Sequence, residues 1–442
     1  MDEGEGRGDW ETLGLIYRRG RGGRRDESRT SSLTLLCAVG ILVTLLLLGT
    51  QVIRTIRIEG FKSIVRESIE LGRVNCFIGA NGSGKSNILE AIGILGAAAS
   101  GRVDDESILR RGMRAGLPRL YKCSFASGRI PPHIGLRATG EMGASFDVSL
   151  LNPLEKPEPA WSFKTEALSD GSSPPLVSRS VRGVANLSKT EGLSALKLVE
   201  LPQDSSAVHL LRALQGFAIY CPNTPSLRGI VPDPQTRDPL GLAGGRLAEA
   251  FAALQKSLGN DERFESVMEL IDWVKDIRTV DNAGTLLSPT VPRGGTVLRF
   301  TDRHMRSKRN TLTAYDASEG ALYILFAAIL CLSKNAPKFM AVDNLDQALN
   351  PRLMANLTGR LSGWLKSADA ERQLLFTAHN PAVLDGLNLQ DDEIRLFTVE
   401  RNSEGHTKVQ RVEVSEKLLA LNSEYPLSRL WLMGNLGAVP NV

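Results

Sequence analysis

Residues Gly79 to Ser86 read GANGSGKS: glycines at 79, 82 and 84, then a lysine and a serine. These types at this spacing fit G-x-x-x-x-G-K-[ST], a loop built to hold a phosphate chain. Gly79, Gly82 and Gly84 let backbone N–H groups turn inward in conformations that a side chain hinders. Ala80, Asn81 and Ser83 complete the cradle, and Asn87 follows in the first turn of the next helix. Lys85 can neutralise β- and γ-phosphate oxygens, and the Ser86 hydroxyl can ligate Mg²⁺. A helix beginning near Gly84 would point its positive end at the anion. The pattern implies a nucleoside triphosphate site, and without a guanine-specifying N-K-x-D the expected ligand is ATP with Mg²⁺.

Three further groups stand where chemistry could be done. Asp343, Asn344 and Asp346 follow the apolar run Phe339 to Val342, and His379 follows the apolar run Leu374 to Thr377. Ser318-Glu319-Gly320 opens a helix from Ala321 that is apolar on every face and therefore buried. A hydroxyl and free N–H groups at such an end can cap the helix or grip a phosphate.

The elements that must position these groups are visible as periodicity. The run Val74, Cys76, Phe77, Ile78 reads as a buried parallel strand. Ile53 to Phe61 reads as a half-buried strand with Ile56 and Ile58 on one side, and Val65 to Leu71 as its hairpin partner. Clean alternation over His133–Thr139, Ser145–Leu150 and Trp161–Glu166 predicts antiparallel strands. Residues 168–190 are polar and are expected to form a loop. Helical spacing marks Ala207–Phe217, Arg246–Leu258 and Glu262–Ile277, while the Pro- and Gly-rich stretch Pro222 to Gly245 is expected to be irregular. The basic cluster Arg303, His304, Arg306, Lys308 and Arg309 reads as a solvated loop. Alternating strands over Glu393–Glu400 and Lys408–Val414 and a short apolar tail close the chain.

IEGFKSI followed by the phosphate loop, and then D-A-S-E-G, the Asp343 strand and His379 in order, resembles the ATPase heads of the RecF/SMC-like ABC group, OLD-like heads among them. The resemblance covers Ile53–Ile94 and Thr311–Arg401. It implies an α/β fold: a P-loop NTPase, ABC-type ATPase head with an antiparallel β lobe and an inserted helical lobe. In such heads Asp343 would hold Mg²⁺ through water, and His379 would sense the γ-phosphate. Lys62 would lie near the nucleotide, a solvated side chain being the equal alternative. Ser318 and Gly320 would close over the ATP of a second copy in a head-to-head homodimer. The family's usual catalytic glutamate is here Asn344, which cannot accept a proton at neutral pH, leaving Asp346 as the nearest substitute. Asn350 stands in the D-loop where an aspartate is usual. Two functions fit the resemblance: an ATPase in DNA repair or anti-phage defence, acting on DNA, or a slow-hydrolysing switch that scaffolds a partner such as a nuclease.

The expected division is an extension at 1–51, a head from 52–100 and 306–415, inserted lobes at 101–305 and a tail at 416–442. The 442 residues, 42% hydrophobic, suffice for such cores. A net charge of +4 is too small to imply nucleic-acid binding by itself. The five cysteines are scattered without a C-x-x-C pair, which suits reduced core thiols in a cytosolic protein. Residues 1–31 carry no apolar periodicity and read as disordered. Leu33 to Thr50 is uncharged and at the lower limit for a membrane span. A span there would place the ATP site outside the cell, so a peripheral anchor or an extension outside the natural start is favoured.

Overall fold

A computed structural model describes residues 52–436 apart from 127–128, 181–191, 234, 260, 282–285, 289 and 292–294. The expectations for residues 1–51 and for Cys37 lie outside the described residues. Among the described residues no helix is long and apolar enough to cross a membrane.

Three sheets organise the described residues. The antiparallel sheet begins with β1 (Ile53–Phe61) and β2 (Ile64–Glu70) and adds β4 (Ile134–Gly140), β5 (Ala144–Leu151), β6 (Ser162–Asp170) and β7 (Val177–Arg179) in the order β2-β1-β4-β5-β6-β7. Its alternation is that of a half-buried sheet: Ile134, Leu136 and Ala138 face in along β4, and Phe146, Val148 and Leu150 along β5. The second sheet has the order β15-β14-β3-β13-β12-β8. Its strands are β3 (Val74–Ile78), β8 (Ile219–Tyr220), β12 (Phe339–Val342), β13 (Gln373–Ala378), β14 (Ile394–Arg401) and β15 (Thr407–Arg411). All pairs in it are parallel except β14 with β15. Every residue of β3, β12 and β13 is buried, as strands covered on both faces must be. A small third sheet holds β9 (Val274–Val280), β10 (Val297–Asp302) and β11 (Thr311–Thr313).

Between the two large sheets runs α1 (Lys85–Ala99), buried along nearly its whole length. Phe77, Phe339, Leu375 and Phe397 face this layer, joined by Ile88, Ile92 and Leu95 of α1 and by Leu210 and Leu214 of α3 (Ser206–Gly216). The other face of the parallel sheet, with Cys76, Ile78, Met340, Val342 and Phe376, is covered by α7 (Glu319–Leu332) and α8 (Pro351–Ala368). Around them lie α2 (Asp105–Leu109), α4 (Thr224–Leu227), α5 (Leu247–Leu258) and α6 (Glu262–Met268), with α9 (Glu416–Glu424) and α10 (Leu427–Leu432) at the carboxyl end.

Four local expectations need correction. The helix read over Glu262–Ile277 ends at Met268, and β9 begins at Val274. Buried Ile271, Val274 and Ile277 are spaced three apart and imitate a helix, but pairing with β10 decides the segment. Residues 168–190 are not all loop: β6 runs to Asp170 and Val177–Arg179 forms β7. Its signal is remote, since Arg179 lies against the buried carboxylate of Glu166, 3.9 Å away. The irregular stretch contains α4, where Asn223 caps the first turn and Pro225 occupies a position that needs no N–H donor. Cys221 is exposed, whereas Cys76, Cys123 and Cys331 are buried thiols. The basic cluster is an exposed turn between β10 and β11.

Arg111 ties the far end of α1 to its surroundings. Its guanidinium is buried and donates to the Gly96 carbonyl (3.0 Å), the Ser100 hydroxyl (2.6 Å), the Ser107 carbonyl (2.9 Å) and the Gln215 carbonyl (3.3 Å). Burial, with Arg237 and Arg110 nearby, pulls its pKa down to about 10. Arg111→Met is expected to destabilise the fold by about 2–4 kcal/mol, because buried carbonyls lose their donor. Urea unfolding measures this, and an unchanged midpoint would refute the role.

Candidate nucleotide site

The phosphate loop leaves the carboxyl end of β3 and enters α1 through Gly84, whose φ of +109° is left-handed. A Cβ at Gly84 would meet the Thr407 hydroxyl at 2.1 Å, and one at Gly79 would meet the Val399 carbonyl oxygen at 2.0 Å. Glycine is therefore required twice, by conformation and by close approach. Thr407 is nearly fully buried and donates to the Ser83 carbonyl (2.8 Å), while its Oγ1 lies 2.7 Å from Ser63 Oγ. Ser63 in turn accepts from Asn87 at 2.7 Å. Hydroxyls from the β1–β2 turn and from β15 thus brace the loop from outside.

Inside the loop, the Lys85 ammonium has three close partners. It donates to the carbonyls of Gly79 (2.7 Å) and Ala80 (2.9 Å) and lies 3.1 Å from His379 Nδ1. Burial lowers its pKa to about 8, against the pull of Asp343 and Asp346. The Ser83 hydroxyl is buried without a hydrogen-bond partner. A buried cation folded back onto the loop's own carbonyls and an orphaned hydroxyl in a glycine cradle both fit a phosphate ligand.

Asp343 leaves the carboxyl end of β12. Its carboxylate accepts from Ser86 Oγ (2.9 Å to Oδ2) and from Thr377 Oγ1 (2.5 Å to Oδ1). A hydroxyl and a carboxylate in contact form a hard-oxygen pair that suits Mg²⁺. Asn344 follows at φ +57°, a left-handed conformation that asparagine tolerates better than most residues. Its N–H donates to Thr377 Oγ1 (2.8 Å), and its Oδ1 lies 2.9 Å from His379 Nε2. Asp346 anchors the next loop, because its Oδ2 accepts from the N–H groups of His379 (2.8 Å) and Asn380 (2.6 Å). His379 is held below the ordinary histidine pKa by burial first and by the Lys85 charge second.

Gly79 to Asn87, Asp343, Asn344, Asp346 and His379 therefore come together at the carboxyl ends of β3, β12 and β13. Lys62 does not join them through its ammonium. At φ +46°, it pairs with Glu90 of α1 and lies over the Tyr121 ring, 5.2 Å from the centroid. Ser318 and Gly320 do not join them either. Ser318 caps α7 by accepting from Ala321 N (3.4 Å). With Gly320, Ala348, Asn350 and Arg352 it lines a separate groove of about 690 Å³. Thr377 and Thr407 were missed by sequence reasoning. Thr377 had a weak signal as the polar end of an apolar strand; Thr407 had none.

Asp346→Ala is expected to expose the His379 and Asn380 amides to faster hydrogen exchange, whereas Asp346→Asn, which keeps an acceptor oxygen, should not. Equal protection in the alanine variant would remove Asp346 as the anchor of this loop.

Two family models match the sequence. Residues 52–109 match one described as "AAA ATPase domain", and residues 243–385 one described as "AAA domain, putative AbiEii toxin, Type IV TA system". Among solved structures, an SMC head bound to the C-terminal winged-helix domain of ScpA aligns with a TM-score of 0.50 and 16% identity, over 83% of this chain and 99% of that one. The SMC head domain from Thermotoga maritima aligns at 14% identity and a TM-score of 0.45, over 82% and 99%. No curated protein matches the chain. The fold is that of an SMC head, a P-loop NTPase of the ABC type. Two stretches thus resemble AAA-type ATPase domains, and the fold resembles that of the SMC head.

Proposed function

We propose that this chain binds and hydrolyses Mg·ATP as an ATP-gated head-to-head dimer. The observation that carries the reading is the division of the site. The phosphate loop, Asp343 and His379 converge at one place, while exposed Ser318 and half-buried Gly320 line a groove that shares no residue with it. One chain thus holds two halves that a second copy would complete. Bound Mg·ATP would supply the phosphoryl group to be transferred and the metal charge that screens it. The loop N–H groups and Lys85 would hold the phosphates, Ser86 and Asp343 the metal, and Ser318 with Gly320 the γ-phosphate of the partner's ATP. Closure would then be a population shift in favour of the dimer. In this reading residues 52–100 and 306–415 form the head and 101–305 its inserted lobes.

The biological setting follows from resemblance to RecF-like and OLD-like heads: DNA repair or anti-phage defence. Asn344 favours a second reading, a slow-hydrolysing switch that scaffolds a partner protein such as a nuclease. Steady-state ATP turnover with and without DNA, alongside sedimentation with a non-hydrolysable ATP analogue, tests both. DNA-stimulated turnover supports the first. Analogue-driven dimers with turnover indifferent to DNA support the second, and absence of analogue binding refutes both.

A further inference from the structure

We infer that Arg352 is a catalytic residue that acts in trans, its guanidinium meeting the γ-phosphate of the ATP held in the phosphate loop of a second copy. The inference rests on the head-to-head reading above and names the cation that the second copy brings.

Within one chain the site is short of positive charge. Among the described residues Lys85 is the one cation hydrogen-bonded to the phosphate loop. Lys62 and Arg114, the cations beside α1, are both taken by the buried carboxylate of Glu90, Arg114 at 2.8 Å. Asn344 brings an amide and adds no charge. Phosphoryl transfer spreads negative charge over the γ-phosphate oxygens, so a second cation on the side away from Lys85 would lower the barrier.

The groove around Ser318 holds such a cation. Arg352 lines it together with Ser318, Gly320 and Ala348, is exposed, and has no hydrogen bond or ion pair from its guanidinium among the described residues. Of the carboxylates in the same groove, Glu269 is held by Arg360 at 2.7 Å, and neither it nor Asp272 pairs with Arg352. The side chain does not serve its own helix. It stands in the first turn of α8, where the helix dipole disfavours a cation, and Asn350 already caps that end by accepting from Leu353 N (2.9 Å). Its support is firm, because Leu349 and Met354 on either side are buried. The turn before it holds Ala348 at φ +60°, a conformation uncommon for a residue with a side chain. A strained turn thus carries an unpaired guanidinium to the rim where Ser318 would meet the γ-phosphate of the second copy. In the transfer the water oxygen bonds to the γ-phosphorus as the bond from that phosphorus to the β–γ bridging oxygen breaks. ADP leaves with the electron pair, one water proton stays with the phosphate, and the other passes to solvent. Arg352 keeps its proton throughout and donates N–H bonds to the γ-phosphate oxygens.

Arg352→Ala is expected to lower ATP turnover roughly 1,000- to 100,000-fold, while analogue affinity and the analogue-driven dimer stay within a few-fold of wild type. Mg·ADP with aluminium fluoride, which mimics the phosphoryl group in transfer, should lock the wild-type dimer and not the variant. This readout holds even where wild-type turnover is slow. Mixing then tests whether the arginine acts in trans. Asp343→Asn and Arg352→Ala are each expected to be inactive alone, but a dimer of one with the other keeps one site that has both residues. In an equal mixture half the dimers are of this kind, so up to about a quarter of wild-type turnover should return. Unchanged turnover or unchanged trapping in Arg352→Ala would overturn the inference alone, as would mixed dimers that recover nothing. Wild-type protein that forms no dimer with the analogue would overturn the head-to-head reading, and the inference with it.

Discussion

Lys85→Ala is expected to weaken Mg·ATP binding by roughly 30- to 1,000-fold, corresponding to about 2–4 kcal/mol of lost charge-assisted hydrogen bonding. This ammonium donates to two carbonyls and lies beside one imidazole nitrogen, so its transfer to phosphate exchanges neutral partners for anionic ones. The same geometry gives a pH signature. Burial lowers the Lys85 pKa to about 8 in the free protein, while phosphate oxygens in the complex would hold the ammonium protonated. Below about pH 8 both states carry the proton and affinity is flat. Above it, binding must take up a proton, so affinity falls by up to about tenfold per unit. Calorimetry at pH 8 in two buffers of different ionisation enthalpy should find about half a proton taken up per site in wild type and none in Lys85→Ala. Equal proton uptake in both proteins would show that Lys85 does not meet the phosphates.

Ser318→Arg is expected to abolish the nucleotide-driven dimer while leaving analogue affinity within about threefold. Ser318 is exposed, and its hydroxyl is described only as the cap that accepts from Ala321 N. Losing that cap costs about 1 kcal/mol, small beside the stability of a domain of this size. The groove it shares with Gly320, Ala348, Asn350 and Arg352 is open to a partner and contains no residue of the phosphate loop. A long cation placed there would meet the partner's site without touching its own. Sedimentation of the purified variant with Mg²⁺ and a non-hydrolysable analogue decides the matter. A Ser318→Arg protein that still dimerises would dismiss the head-to-head arrangement, and one that loses analogue binding would place Ser318 in its own site.

Local pattern determined much about this protein. Three glycines, a lysine and a serine at fixed spacing after an apolar run specify a strand, a cradle and a helix start, because each needs only its own neighbours. The same holds for the buried strands that end at Asp343 and precede His379, for the alternation of β4 and β5, and for α7 beneath Ser318. What the tertiary structure decided is how remote groups meet. The bond from Thr377 to Asp343 spans 34 residues, and the bond between Thr407 and Ser63 spans 344. Both exist because strand order places β13 beside β12 and brings β15 against the β1–β2 turn, and strand order is not written in any local period. Lys62 illustrates the limit. Its sequence position suited a nucleotide contact or a solvated side chain, yet Glu90 on α1 and the Tyr121 ring hold it. Ile271, Val274 and Ile277 illustrate another, since a spacing of three fits a helix until pairing with β10 makes the segment a strand.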